Sequence, residues 1–582
     1  MTALLAPAAL AAPPPGPGLK SPARPRRSKD RSVILLGTGV AVLLLLLIGY
    51  PLVSLLGSAF STDGQAVLLR IVTDPVNHRI VGNTMLLGLI VGVTGTLIGF
   101  LFAYAQVRLQ FRGKRVLHLL AMIPIVAPPF AVATAVITLF GRNGAITNGV
   151  FGLHPNIYGL PGLVLVLSLS FFPVAYMNLK GMLESLDPSL DEAAAGLGAS
   201  KLRVFLTVTI PMIIPGLAGS FLLLFVESIA DLGNPLVLGG DYTVLASRAY
   251  LAVTGEYNTS AGAAYSLAIL IPALLVFMVQ RYWVSRRSVV SITGKPTGTS
   301  ELITAASIRV PILALVSVIS VLIITIYATV LAGGFMKVPG VNNAFTLDHY
   351  KFVFGGLGSK AMTDTTMLAL IAAPIAGLLG MLIAWLVVRK LRRTAGLLDF
   401  VGMLGLAVPG TVLGIGYALS YNTPTVFFGI QVLPALAGGS AAFAGAVAIV
   451  MVYITRSLPS GQRAGVSALQ QIHPAIEEAS TSLGADSATT FRKVTLPLIQ
   501  SALLTGLTFA FARSMTTLSP IIFLTTPGIK IMTSQILAEV DSGRFGNAFA
   551  YCTVLIGIVL ALILLLNVIV RKVVFRGRTH RR

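Results

Sequence analysis

Three ionisable residues stand inside or against long apolar runs. Glu227 and Asp231 lie four residues apart, so on one face of a helix. Arg513 lies inside another apolar run, 286 residues after Glu227. A charge at bilayer depth costs about 2.5–3.5 kcal/mol on insertion scales, so such groups should face protein or water. One reading is a Glu227–Arg513 contact that lines or gates a pathway. The other is that both snorkel into water at an interface. No residue set for bond-making chemistry stands beside them. His78, His118, His154, His349, His473 and His580 form no helical pair and no metal-ligand spacing. Tyr242, Tyr250 and Tyr257 could offer phenolates to a hard cation, but read more simply as interface anchors. Cys552 alone excludes an internal disulfide and a thiolate cluster. Gly294-Lys295 is followed by Pro296, so no phosphate-binding loop of the G-x4-G-K-[S/T] type is present. No nucleophile elbow or HExxH occurs. The chain is expected to be no enzyme, with no catalytic residue, metal or cofactor of its own.

The elements that must position these charges are membrane helices. Hydrophobic residues make up 55% of the 582, charged residues 11%, and mean hydropathy is +0.87. So few charges could not cover a soluble protein of this size. Apolar runs near 20 residues long imply helices, not barrel strands. About twelve spans are expected, at 33–56, 82–106, 117–140, 159–180, 213–234 and 262–282, then at 309–332, 365–388, 398–420, 437–457, 499–519 and 549–570. Most of the 42 Lys and Arg fall on the tails and on one set of loops, among them Arg108, Arg112, Arg389, Lys390, Lys201 and Arg492. That bias predicts both termini on the cytoplasmic side. It also accounts for the net charge of +22 without nucleic acid. Residues 1–31 read as a disordered basic cytoplasmic tail ahead of an uncleaved first span. Residues 286–308 read as a cytoplasmic linker, and 571–582 as a basic tail.

The chain is written twice. Glu192-Ala193-Ala194-Ala195-Gly196-Leu197-Gly198 leads to Val208-Thr209-Ile210-Pro211. Glu478-Ala479-Ser480-Thr481-Ser482-Leu483-Gly484 leads to Val494-Thr495-Leu496-Pro497, 286 residues on. Thr84-Met85-Leu86 aligns with Thr366-Met367-Leu368 at 282, Tyr104 with Trp385 and Pro128 with Pro409 at 281. Two domains, 32–285 and 309–570, therefore repeat in parallel, which puts a pseudo-twofold axis along the membrane normal. Each polar block, within 182–212 and 458–498, should fold as a bracket of two short helices. Ala193-Ala194-Ala195 favours helix. Pro188 and Pro474 suit its start. Asp191-Glu192 and Glu477-Glu478 complement its dipole by about 0.3–1 kcal/mol. Gly198 and Gly484 end it, and a second helix closes near Pro211 or Pro497.

The spacing E-A-A-x3-G-x9-I-x-L-P resembles the signature of binding-protein-dependent ABC importer permeases, with Val at the Ile position of both blocks and Ile210 for Leu in the first. The duplicated form is most similar to the ferric-iron permease branch, as are Asp231-Leu232-Gly233-Asn234-Pro235-Leu236-Val237-Leu238-Gly239-Gly240 and Val244-Leu245-Ala246-Ser247. The resemblance covers roughly 35–570. It implies an all-α polytopic membrane protein of two tandem, parallel, pseudosymmetric six-helix permease domains (MetI-like). It implies ATPase-coupling loops built on Glu192, Ala193, Ala194, Gly198 and Pro211, and on Glu478, Ala479, Gly484 and Pro497. It implies two copies of a cytoplasmic ABC ATPase as separate chains that bind the ATP. A periplasmic solute-binding protein would dock around 235–260 and 520–547, and the place is a bacterial inner membrane. Ferric iron is the expected cargo; 2-aminoethylphosphonate, thiamine or polyamine permeases look alike. An ion-coupled secondary transporter is the alternative of another class.

Overall fold

The computed structural model describes residues 31–284, 302–391, 393–427 and 429–579. Residues 1–30 of the expected 1–31 tail, most of the linker and the last three residues of the expected 571–582 tail lie outside them. Nine helices among the described residues are long and apolar enough to cross a membrane, and twelve spans result if each of three bent helix pairs is counted as one. In the first half the spans are Ser32–Ala59 (1), Pro75–Arg108 (2), Lys114–Val126 with Phe130–Phe140 (3), Leu160–Ser185 (4), Lys201–Ala230 (5) and Thr259–Tyr282 (6). In the second they are Ala306–Gly333 (7), Gly358–Lys390 (8), Ala395–Ala407 with Gly410–Tyr421 (9), Ala446–Gln470 (10), Gln500–Thr516 (11) and Phe545–Thr579 (12).

Small residues let these helices approach. Span 2 presents Gly88, Gly92, Gly95 and Gly99 to spans 4 and 5. A Cβ at Gly92 would meet Phe221 at 2.8 Å, and one at Gly99 would meet the Tyr176 nitrogen at 2.8 Å. In lipid, where no hydrophobic force drives helices together, such close backbone packing is what holds a bundle.

Each half lends an arm to the other. Span 1 packs on span 6 and on the second leg of span 9; span 7 packs on span 12 and on the second leg of span 3. The chemistry of the first contact is specific. A wide π turn at Leu45–Gly49 precedes Pro51. Proline has no N–H for the Leu47 carbonyl, and the wide turn withdraws the donor of Leu46. Tyr417 donates its hydroxyl to Leu47 O at 2.7 Å, and Tyr421 donates to Leu46 O at 2.6 Å.

Four expectations are corrected. Span 10 starts at Ala446, after left-handed Gly445, not at 437, so Arg456 lies within the helix rather than at its end. The true partner of Thr84 is Thr365, not Thr366. Thr84 accepts from Leu245 N and Thr365 from Met532 N, both at 2.8 Å, each starting a short helix beyond span 5 or 11. The bracket helices do not close at Pro211 or Pro497, as described below. Span 12 continues as helix to Thr579, through most of the expected tail. Two small antiparallel hairpins, Met336–Val338 with Asn342–Phe345 and Thr425–Phe427 with Ile430–Leu433, sit on the face opposite the brackets.

Candidate functional site

Two places carry the site residues expected from the repeat: the brackets on one face, and a cavity between the halves.

The first bracket opens with the helix Pro188–Gly196, capped by the Asp187 carboxylate on Ser189 N. It ends as a Schellman motif: Gly198 has φ +81°, its N–H reaches Ala195 O at 2.9 Å, and Ala199 N reaches Ala194 O at 3.1 Å. The second bracket, Ala475–Ser482, ends alike at Gly484 with φ +87° and bonds to Thr481 O and Ser480 O. In both, the turn lifts a leucine out of the protein. Leu197 is 90% exposed and Leu483 89%. Glu192, Ala193, Glu478 and Ala479 are exposed beside them, and Ala194 is half-buried.

The acid before each of these glutamates turns the other way. Asp191 pairs with Arg108 of span 2 at 2.6 Å. Glu477, 7% exposed, accepts from Thr495 Oγ1 at 2.9 Å and Trp385 Nε1 at 3.3 Å, with Arg389 at 3.7 Å. Tyr104 meets Phe205 edge-on at 5.4 Å, and Trp385 meets Phe491 at 5.0 Å. Aromatic, arginine and acid thus tie each bracket to span 2 or 8. Sequence reasoning missed this tie, although Tyr104/Trp385 and Arg108/Arg389 share one offset of 281.

Each bracket then runs on toward the membrane. Lys201–Val204 and Ser487–Thr490 are followed by π turns, Phe205–Thr209 and Phe491–Thr495, which widen the helix just before Pro211 and Pro497. The first bracket continues unbroken into span 5; the second bends by 81° at Ile499 before span 11.

The cavity measures about 90 Å³. The first half contributes Phe130, Phe171, Glu227 and Asp231, and the second Gly410, Arg456, Arg513 and Thr517. Glu227 with Arg513, and Asp231 with Thr517, are equivalent by the repeat, so the cavity lies on the pseudo-twofold axis. Arg513 Nη2 stands 3.3 Å from Glu227 Oε1. Asp231 is not on the same helical face as Glu227. It caps span 5 and accepts from both Asn234 nitrogens, at 3.0 and 2.9 Å. Arg456, which the sequence reading placed at a span edge, donates to the carbonyls of Gly405 and Val408 at 3.2 and 3.1 Å. Gly405 O is an orphan because its helical donor would be Pro409.

The remaining candidates lie apart. Tyr242 donates to Asn83 O at 2.8 Å, Tyr250 packs edge-on against Phe523 at 5.8 Å, and Tyr257 is exposed. His118 bonds Tyr176 and His349 bonds Asn547, both at 2.7 Å. Among the described residues no group of three metal-ligating side chains gathers.

Twin polar brackets on a duplicated bundle of membrane helices, with an axial cavity between the halves, define a membrane transport subunit. A family model described as a binding-protein-dependent transport system inner membrane component matches residues 95–290 and 376–578. Its two starts differ by 281, the offset of Thr84 and Thr365. A ferric transport system permease protein of Actinobacillus pleuropneumoniae is 34% identical over 556 residues, 93% of this chain and 79% of that protein. A protein of Haemophilus influenzae, also named for ferric transport, is 32% identical over 516 residues, 86% and 79% of the two chains. A molybdenum transport system permease protein of Escherichia coli aligns over 196 residues at 29% identity, 33% of this chain and 85% of its own. The chain belongs to the family of binding-protein-dependent transport system inner membrane components. It is a multi-pass inner membrane protein and a non-catalytic subunit of an importer.

Proposed function

We propose that this chain forms the pathway of an ATP-driven importer for ferric iron. Its brackets seat in two copies of a separate cytoplasmic ABC ATPase, which bind the ATP. Both termini then lie in the cytoplasm, and a periplasmic solute-binding protein delivers cargo to the opposite face, around 235–260 and 520–547. The observation that carries the coupling is the pair Leu197 and Leu483. An apolar side chain about nine-tenths exposed, repeated on two rigidly closed turns, is a knob made for an apolar socket on a partner. Acidic Glu192 and Glu478 flank the knobs as polar rim. ATP binding that draws the two sockets together would draw the brackets together and tilt spans 5 and 11, alternating the access of the axial pathway. Cargo rests on the two relatives named for ferric transport, each matched over most of its length.

The test is reconstitution of this chain with a candidate ABC ATPase and a ferric-binding protein. ATP-dependent uptake of labelled ferric ion is expected. Changing Leu197 and Leu483 together to Asp should abolish co-purification of the ATPase. Uptake that needs no ATP but follows a proton or sodium gradient overturns the coupling. ATP-driven uptake of another solute, with ferric ion ignored, overturns the cargo.

A further inference from the structure

The charges around the axial cavity are divided unequally between the two halves. Glu227 and Arg513 occupy equivalent positions with opposite sign. Asp231 is matched by neutral Thr517, and Arg456 by Ser170. All anions come from the first half and all cations from the second. A true homodimer would set like against like at such an axis, and like charges repel. Here the two meet as a pair, Arg513 to Glu227 at 3.3 Å. Neutral packing closes around them: a Cβ added at Gly233 of the first half would meet Leu518 of the second at 3.0 Å and Phe130 at 3.2 Å.

We propose that Glu227, Arg513 and Arg456 form a charge lock that holds the two halves shut when the transporter is at rest, with Arg456 as the key. This rests on reading the half-to-half interface as the pathway. Arg456 is clamped to the orphaned carbonyls of Gly405 and Val408, at the point where span 9 bends by 102°. Movement of that bend must move the guanidinium. The Glu227 and Arg513 side chains are 24% and 37% exposed. A pair so placed is separable, because water can solvate each charge as the halves part. Arg456 and Arg513 come from one half and part from Glu227 together, so opening exposes a carboxylate wall facing a guanidinium wall.

The experiment is a leak assay on the full chain alone, in vesicles that enclose a dye quenched by thallium(I). It needs no ATPase, binding protein or ferric ion. Wild type should be tight. Glu227→Gln and Arg513→Gln should each raise thallium entry at least tenfold, and Arg456→Gln should raise it too. The swap of Glu227→Arg with Arg513→Glu should return entry to within about twofold of wild type. Since a misfolded chain also leaks, each variant is first required to elute as wild type in detergent. A variant failing that gate is replaced by the milder Glu227→Asp or Arg513→Lys, which should still leak more than wild type. Folded neutral variants as tight as wild type overturn the lock, and so does a swap that leaks like the singles. Tight variants with ATP-driven ferric uptake intact sink the lock alone. A wild type that leaks nothing yet shows no ATP-driven uptake sinks the functional reading alone.

Discussion

Asp191 and Glu192 are neighbours with opposite fates, and so are Glu477 and Glu478. A helix turns 100° per residue, so only one of two adjacent acids can face the membrane helices. Arg108 and Arg389 decide which. Asp191, Glu477 and Glu478 were legible as first-turn charges, whereas Glu192, also expected there, follows one position beyond. The division of labour was not legible, because it depends on where span 2 or 8 ends. The shared offset of Arg108 and Arg389 was the available signal. Asp191→Asn and Glu477→Gln each remove a charge-assisted bond worth about 1.5–3 kcal/mol. The expected outcome is a several-fold drop in ATP-driven uptake with the ATPase still bound, since the knobs at Leu197 and Leu483 remain in place. Uptake and co-purification measured on one preparation check it.

Three elements share a device that sequence reading had not used. The π turns Leu45–Gly49, Phe205–Thr209 and Phe491–Thr495 each stand just ahead of Pro51, Pro211 or Pro497. A proline in a regular helix clashes with the carbonyl four residues back. Widening the preceding turn removes the clash and lets the helix continue. Pro211 and Pro497, read as helix ends, are therefore passages, and Pro51 lies within its span as expected. The breaks in spans 3 and 9 are the reverse: Pro128 and Pro409 do stop a helix, and the runs around them looked continuous because both legs are apolar. Gly198 and Gly484 were read correctly as helix ends. A β-branched residue at their positive φ costs about 1–2 kcal/mol, and nothing stands within 4 Å of either Cβ site. Gly198→Val with Gly484→Val should therefore cut uptake through backbone strain, not through steric conflict inside the chain. The single variants should each cut it less, as measured by initial rates. On the opposite face, Glu539 is buried against Arg544 and Asn547, with 2.6 and 2.9 Å contacts. Burial opposes its charge, yet Arg544 and Asn547 hold its carboxyl below the usual range. A lowered folded value means its stabilising share is complete above the unfolded value near 4.3 and fades as pH falls through the folded one. Melting curves of Glu539→Gln should lose that acid limb relative to wild type.

At the scale of the molecule, the twelve-span count, the duplication and the two brackets were all readable from apolar length and repeat spacing. The crossing of the arms was not. Nothing in span 1 alone says that its carbonyls are answered by Tyr417 and Tyr421, because the donors belong to the other half. The crossing predicts that the halves depend on each other. Residues 1–293 and 294–582 made as two chains in one cell should assemble into a working permease, and either alone should be degraded. Pull-down through a tag on one fragment, with uptake measured beside it, checks this. Tyr417→Phe should weaken the assembled pair, because Leu47 O then keeps only Thr455 at 3.4 Å.

The arm also sets a clock for biosynthesis. Leu47 enters the bilayer 370 residues before the tyrosine that satisfies it. At about 5–20 residues per second that gap lasts roughly 20–70 s. Throughout it, a backbone oxygen sits in oil without a donor, a state that costs several kcal/mol. The nascent first half carries that cost until span 9 arrives.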